Sequence, residues 1–119
     1  MRRILLATLL VAVPASAGKL PAKEGQCTVT VIKQIGTRLE GVADSGDMVS
    51  FANGGFQVST GTIQGLKGSR KGDRVRLCLV TIPDECPPND TRGKVYKATN
   101  LRTGASWEAP DSEHMCGGA

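Results

Sequence analysis

Four cysteines, one histidine and a tight run of cations are the residues of this 119-residue chain most able to do chemistry. Cys27, Cys78, Cys86 and Cys116 are separated by 50, 7 and 29 residues. No pair forms Cys-x-x-Cys, which argues against a dithiol redox motif and against a zinc knuckle. An even number in a small exported domain reads as two disulfides. Three pairings are possible. The favoured one joins Cys27 to Cys78 and Cys86 to Cys116, tying an opening strand to a central one and pinning the tail to a proline-rich loop. Each bond would close a long loop and contribute ~3–4 kcal/mol by restricting the unfolded chain.

The cations are Lys67, Arg70, Lys71, Arg74 and Arg76, with Asp73 alone against them. Such a cluster suits acidic polysaccharide, phospholipid headgroups or nucleic acid. It also suits a solvated loop and strand edge, where cations discourage edge pairing. Single-stranded nucleic acid would further require stacking aromatics, and only Tyr96 and Trp107 are candidates. His114, the only histidine, stands among Asp111, Ser112, Glu113 and Met115. A His–Asp pair could serve a hydrolase and His with Met could hold copper, but either needs further partners, and a lone surface histidine is the plainer reading. No metal or cofactor is expected. Asp84, Glu85, Asn89 and Asp90 lack the alternating spacing of a calcium loop. Gly54-Gly55 and Gly117-Gly118 are not phosphate loops.

Residues 1–17 carry the marks of a secretory signal. Arg2 and Arg3 precede the apolar run from Ile4 to Val13, and Pro14 leads into Ala15-Ser16-Ala17. The run is shorter than the ~20 residues that span a bilayer. Arg2 and Arg3 would leave with the signal, so residues 18–119 hold 13 basic and 11 acidic residues, a net charge of +2. Net charge therefore gives no case for nucleic-acid binding. The expected address is periplasmic or secreted, with no transmembrane anchor after cleavage near Ala17.

The remainder suits one domain. Residues 18–26 read as a flexible leader, and 27–119 as a single β-domain with a disulfide-pinned C-terminal tail. Residues 27–35 form a β-branched strand. Residues 37–43 form a second strand or a continuation past Gly36. Met48–Asn53 and Gly55–Thr60 flank Asn53-Gly54, a type I′ turn signal. That turn sets Phe51 opposite Phe56 and Val49 opposite Val58, with Gln57 on the other face. Residues 61–72 are polar and glycine-rich, with room for a short helical turn. A strand follows at 74–82, then a loop over Pro83–Gly93, then a hairpin of 94–99 and 105–109 across which Tyr96 and Trp107 could meet. Such short strands, about six in number and separated by turns, predict an all-β fold. It would be a small, disulfide-stapled barrel, OB-like or SH3-like, with a small β-sandwich as the alternative.

The C-terminal half carries a resemblance. It runs through Gly72-Asp73-Arg74-Val75, Cys78, Ile82-Pro83, Cys86-Pro87-Pro88, Arg92-Gly93, Val95-Tyr96 and Thr99 to Thr103. It continues through Ser106-Trp107 to His114-Met115-Cys116-Gly117-Gly118. These residues resemble a group of small exported four-cysteine proteobacterial proteins of unknown function. The resemblance implies a bacterial, periplasmic protein and brings no activity with it.

The functional expectation is a non-enzymatic binding module for another envelope protein or an anionic polymer, acting through Lys67, Arg70, Lys71, Arg74 and Arg76. The alternative is a protease or lysozyme inhibitor acting through Pro83–Gly93, a stiff loop that would lose little freedom on docking. An enzyme centred on His114 is the third class.

Overall fold

The computed structural model describes residues 18–118. The signal sequence read at 1–17 lies outside the described residues. Six strands form, each where β-branched or aromatic residues alternate with polar ones. They are β1 (Cys27–Thr37), β2 (Asp47–Phe51), β3 (Phe56–Ser59), β4 (Arg74–Thr81), β5 (Val95–Asn100) and β6 (Ser106–Pro110). A short 3-10 turn, Gln64–Leu66, lies between β3 and β4.

The strands make one antiparallel sheet in the order β3-β2-β1-β4-β5-β6. Strand β4 returns to lie beside β1 after the β1–β2–β3 meander, which is a Greek-key connection. The N-terminal half of β1 pairs with β4 and its C-terminal half with β2. Between the halves the register slips at Ile32/Gln34, a bulge that increases local bend and twist. The sheet thereby curls into a half-barrel, not the two facing layers of a sandwich. Its interior holds Ile32, Val49, Phe51, Val75, Leu77, Leu79, Tyr96, Ala98 and Trp107, with Ile63 and Leu66 of the 3-10 segment packed in the same cluster. Burying each large side chain contributes ~1.5–3 kcal/mol. Gly65 lets this segment lie against β6, because a Cβ there would stand 2.6 Å from the Trp107 ring.

The edge strands β3 and β6 approach each other without a shared ladder. A glutamine bridges that seam. Gln57, fully buried, accepts a hydrogen bond from Trp107 Nε1 at 2.8 Å and donates through Nε2 to the Tyr96 carbonyl at 2.8 Å. Tyr96 and Trp107 thus do not face each other directly. Tyr96 pairs with Ala109 and Trp107 with Ala98, and Gln57 links the two aromatics.

This arrangement corrects the hairpin register. Ser50 faces Phe56 and Val49 faces Gln57, one residue away from the expected pairing. Asn53 does not take the positive φ that a type I′ turn requires; Gly54 does, at φ 87. Gly54 N–H donates to the Phe51 carbonyl and Phe51 N–H to the Gly55 carbonyl. The loop is therefore three residues with a glycine bulge. A one-residue slip exchanges the faces of a strand, which carries Gln57 inward and leaves Phe56 half-buried.

Two other expectations change. Residues 37–43 make no second strand, and β1 continues past Gly36 only as far as Thr37, because Gly41 at φ 72 and Asp44 at φ 61 turn the chain, and Arg38 N–H donates to the Gly46 carbonyl. Residues 18–26, expected as a flexible leader, lie along the barrel. Gly18 N–H donates to Val29, Gly25 N–H to Leu79, and Ile82 N–H to Glu24 Oε1, while Pro21 is buried.

Candidate anion-binding face

Alternation along β4 sends Val75, Leu77 and Leu79 inward and Arg74 and Arg76 outward. Arg74 lies opposite Val31 and Arg76 opposite Val29 on β1, so two cations flank two valines on the convex face. Before β4 the chain turns tightly, with Asp73 N–H donating to the Arg70 carbonyl and Gly72 at φ 93. This turn projects Arg70 and Lys71 into solvent, and Lys67 leaves the 3-10 segment just upstream. All five cations expected from the sequence are exposed, and among the described residues none is in an ion pair.

The face has a sixth cation that sequence reasoning missed. Lys33 is the extra residue of the β1 bulge: Ile32 pairs with Phe51 and Gln34 with Ser50, leaving Lys33 unpaired between them. Bulges re-aim side chains in this way. Lys33, Gln34, Ile35, Ser69, Arg70 and Lys71 line an open groove of about 560 Å³. The ladder joins its two walls, since Gly72 N–H donates to the Ile32 carbonyl and Ile32 N–H to Asp73.

Asp73, the one acid in the run, does not face the groove cations as a partner. Its carboxylate is buried and turned toward the β5–β6 loop. Arg102 grips it at both oxygens, Nε at 2.8 Å and Nη2 at 2.9 Å. Asn100 Nδ2 donates to it at 2.9 Å and the Arg70 backbone N–H at 2.8 Å. The Arg102 hydrogen bonds, then that of Asn100, hold the Asp73 carboxyl well below the usual carboxylate range. Asn100, itself fully buried, also donates to Ser69 Oγ at 2.9 Å. The segment presenting the cations is thus clamped from beneath by Asp73, Asn100 and Arg102. Residues held this way lose little freedom when a ligand docks.

No family model matches the chain, and no curated protein or solved structure does. Function must therefore be argued from the site itself.

The other sequence-derived candidates lie elsewhere. Cys27 is bonded to Cys78 across the β1–β4 ladder, and Cys86 to Cys116 between the loop and the tail. The Pro83–Gly93 loop and the tail make one knob. Asp90 pairs with Arg92 at 2.9 Å and accepts from Gly117 N–H, while Asp111 accepts from Gly93 N–H. Arg92 holds the Asp90 carboxyl far below its ordinary range. Glu85 at φ 58 and Asn89 at φ 68 coil the loop into turns, with Asp90 N–H donating to the Pro87 carbonyl. His114 is exposed on the tail, and its neighbour Glu113 pairs with Arg38. The structure gathers no group of three potential metal ligands among the described residues. Tyr96 and Trp107 are core residues, so neither offers a stacking surface on the cationic face.

Proposed function

We propose that this chain is an exported binding module whose ligand is an anionic polymer, held along Lys33, Lys67, Arg70, Lys71, Arg74 and Arg76. The observation that carries this reading is the disposition of Asp73. Its charge is engaged by Arg102 on the inner side of the turn, so six exposed cations are left without an ionic partner among the described residues. Several cations along one clamped face suit a chain of regularly repeated sulfate, phosphate or carboxylate groups better than a single small anion. Val29 and Val31, opposite Arg76 and Arg74 on β1, supply contact for the uncharged parts of such a chain. Without exposed aromatics at the site, acidic glycan or a phosphorylated envelope polymer is favoured over single-stranded nucleic acid.

Export belongs to the same proposal. Two disulfides suit an oxidising compartment, and no helix among the described residues is long and apolar enough to cross a membrane. The signal read at 1–17 and the resemblance to exported four-cysteine proteobacterial proteins would place the protein in a bacterial periplasm or outside the cell.

The test is retention on immobilised heparin at low salt, used as a sulfated polymer probe. The protein should bind and elute as salt rises, since such contacts release counterions and weaken with ionic strength. Arg70→Glu with Lys71→Glu should abolish retention while far-UV circular dichroism stays unchanged. Passage of the unmodified protein straight through at ~20 mM salt, where screening is weak, would remove the polymer reading.

The inhibitor alternative has one observation in its favour. The knob of residues 83–93 and 111–118 is braced by a disulfide and by the Asp90–Arg92–Gly117 contacts. Inhibition of a panel of proteases and lysozymes, lost on replacing Asp84-Glu85 with alanines, would establish it in place of polymer binding.

A further inference from the structure

The two disulfides sit in opposite electrostatic settings. Cys27–Cys78 lies on the convex face, with Cys27 exposed and Cys78 half-buried. Arg76 Nη2 stands 3.7 Å from Cys27 Sγ, and Lys97 faces Cys78 across the β4–β5 ladder. Arg74 is one step along the same face of β4. Two acids lie on the flanks of this disulfide: Glu108, a strand further out and opposite Lys97, and Glu24, three residues before Cys27, whose carboxylate accepts from Ile82 N–H further along the chain from Cys78. Cys86–Cys116 is different. Asp84 and Glu85, both exposed and in no ion pair among the described residues, immediately precede Cys86. The nearby Arg92 is committed to Asp90.

Thiol–disulfide exchange depends on three things this contrast controls. The attacking species is an anionic thiolate, so a cationic surface raises its local concentration. The leaving sulfur departs as a thiolate, and a guanidinium beside it favours that departure. The bond must also be accessible. Only Cys27–Cys78 meets all three.

We propose that Cys27–Cys78 is a thiol-exchange site selective for small anionic thiols. This inference is independent of the polymer reading. In the exchange, a thiolate whose proton has gone to solvent attacks Cys78 Sγ. A new bond forms between its sulfur and Cys78, the Cys27–Cys78 bond breaks, and the electron pair passes to Cys27 Sγ beside Arg76. The product is a mixed disulfide on Cys78 and a thiolate at Cys27. A second thiolate attacking the mixed disulfide releases the small disulfide and leaves both cysteines reduced. No external oxidant is needed.

The experiment treats the oxidised protein with glutathione, which is anionic, or with cysteamine, which is cationic. Adducts are trapped by acid and mapped by mass spectrometry. Each rate is divided by that thiol's rate on a small neutral disulfide, which removes intrinsic reactivity. The expected result is an adduct on Cys78 and a normalised preference for glutathione of roughly tenfold at low salt. That preference should vanish near 1 M salt, where screening acts within about 3 Å. Arg76→Gln should erase most of it while circular dichroism shows the fold retained. Earlier reaction of Cys86–Cys116, an adduct on Cys27, equal normalised rates for the two thiols, or an unchanged preference in Arg76→Gln would each overturn the proposal.

Discussion

Gln57 offers the sharpest test of how the half-barrel is held. Replacing it with leucine keeps nearly the same volume and removes every polar contact of its side chain. Trp107 Nε1, in a residue 7% exposed, would lose its acceptor at 2.8 Å, and the Tyr96 carbonyl would lose a donor at 2.8 Å. A buried polar group left without a partner costs about 1–3 kcal/mol. Leucine is easier to bury than an amide and offsets part of this, so the net loss should be about 2–4 kcal/mol. A domain of this size has ~5–15 kcal/mol to lose, and the melting temperature should fall by about 10–20 °C. Urea titration followed by far-UV circular dichroism reads the effect in every variant, including those that lack Trp107, the sole tryptophan. A double-mutant cycle with Trp107→Phe separates the bond from packing. If the indole N–H depends on Gln57, the double variant should lose at least ~1 kcal/mol less than the two single losses added. A loss below ~0.5 kcal/mol in Gln57→Leu, or strict additivity in the cycle, would refute the claim that this side chain closes the seam between β3 and β6.

Three further outcomes follow from the same geometry. The disulfides span 51 and 30 residues in stretches of chain that do not overlap, so replacing each pair by serines should cost ~4 and ~3.5 kcal/mol and the two losses should add; a shift below ~1 kcal/mol for either in urea would contradict the entropic account. Asp73 and Asp90 titrate far below their unfolded value of about 3.9, so the stability they contribute is complete above that pH and drains away as pH falls beneath it; urea midpoints measured from pH 7 to pH 2 should show this, and Asp73→Asn should start lower and depend less on pH. Lys33→Glu should lower the salt needed for elution from heparin as much as Lys71→Glu does, while Lys23→Glu on the leader should leave it nearly unchanged.

The sequence carried the strands more reliably than their register. Val75, Leu77 and Leu79 alternate with Arg74, Arg76 and Cys78, and β4 forms where that pattern lies. Asn53-Gly54 marks a turn, but the same dipeptide serves both a two-residue turn and a three-residue loop with a glycine bulge. The two differ by one residue, and that residue decides whether Gln57 points to water or to the core. Leu39 and Val42 looked like the apolar points of a strand; they are 45% and 48% exposed because Gly41 and Asp44 turn the chain first. Within the candidate face, the five clustered cations all fall between Lys67 and Arg76 and could be read in the sequence. Lys33 could not, because the β1 bulge between Ile32 and Gln34 contains no glycine to mark it. The partners of Asp73 were equally hidden, since Asn100 and Arg102 lie 27 and 29 residues away.

That distant pairing changes what the charge of the chain means. Counted along residues 18–119, 13 cations against 11 acids give a net charge of only +2. In the fold the acids are drawn to structural tasks, because a carboxylate can only accept hydrogen bonds and buried backbone N–H groups need acceptors. Glu24, Asp47 and Asp111 bind the N–H groups of Ile82, Ile63 and Gly93, while Asp73, Asp90 and Glu113 are engaged by arginines. Lysine and arginine heads have no such demand inside and remain at the surface on apolar stems. At physiological salt a charge is felt over only ~8 Å, so a ligand near Arg70 meets Lys33, Lys71 and Arg74 and little of the acidic knob around Asp84. The local field, set by which acids the fold has occupied, governs association here, and the net charge conceals it.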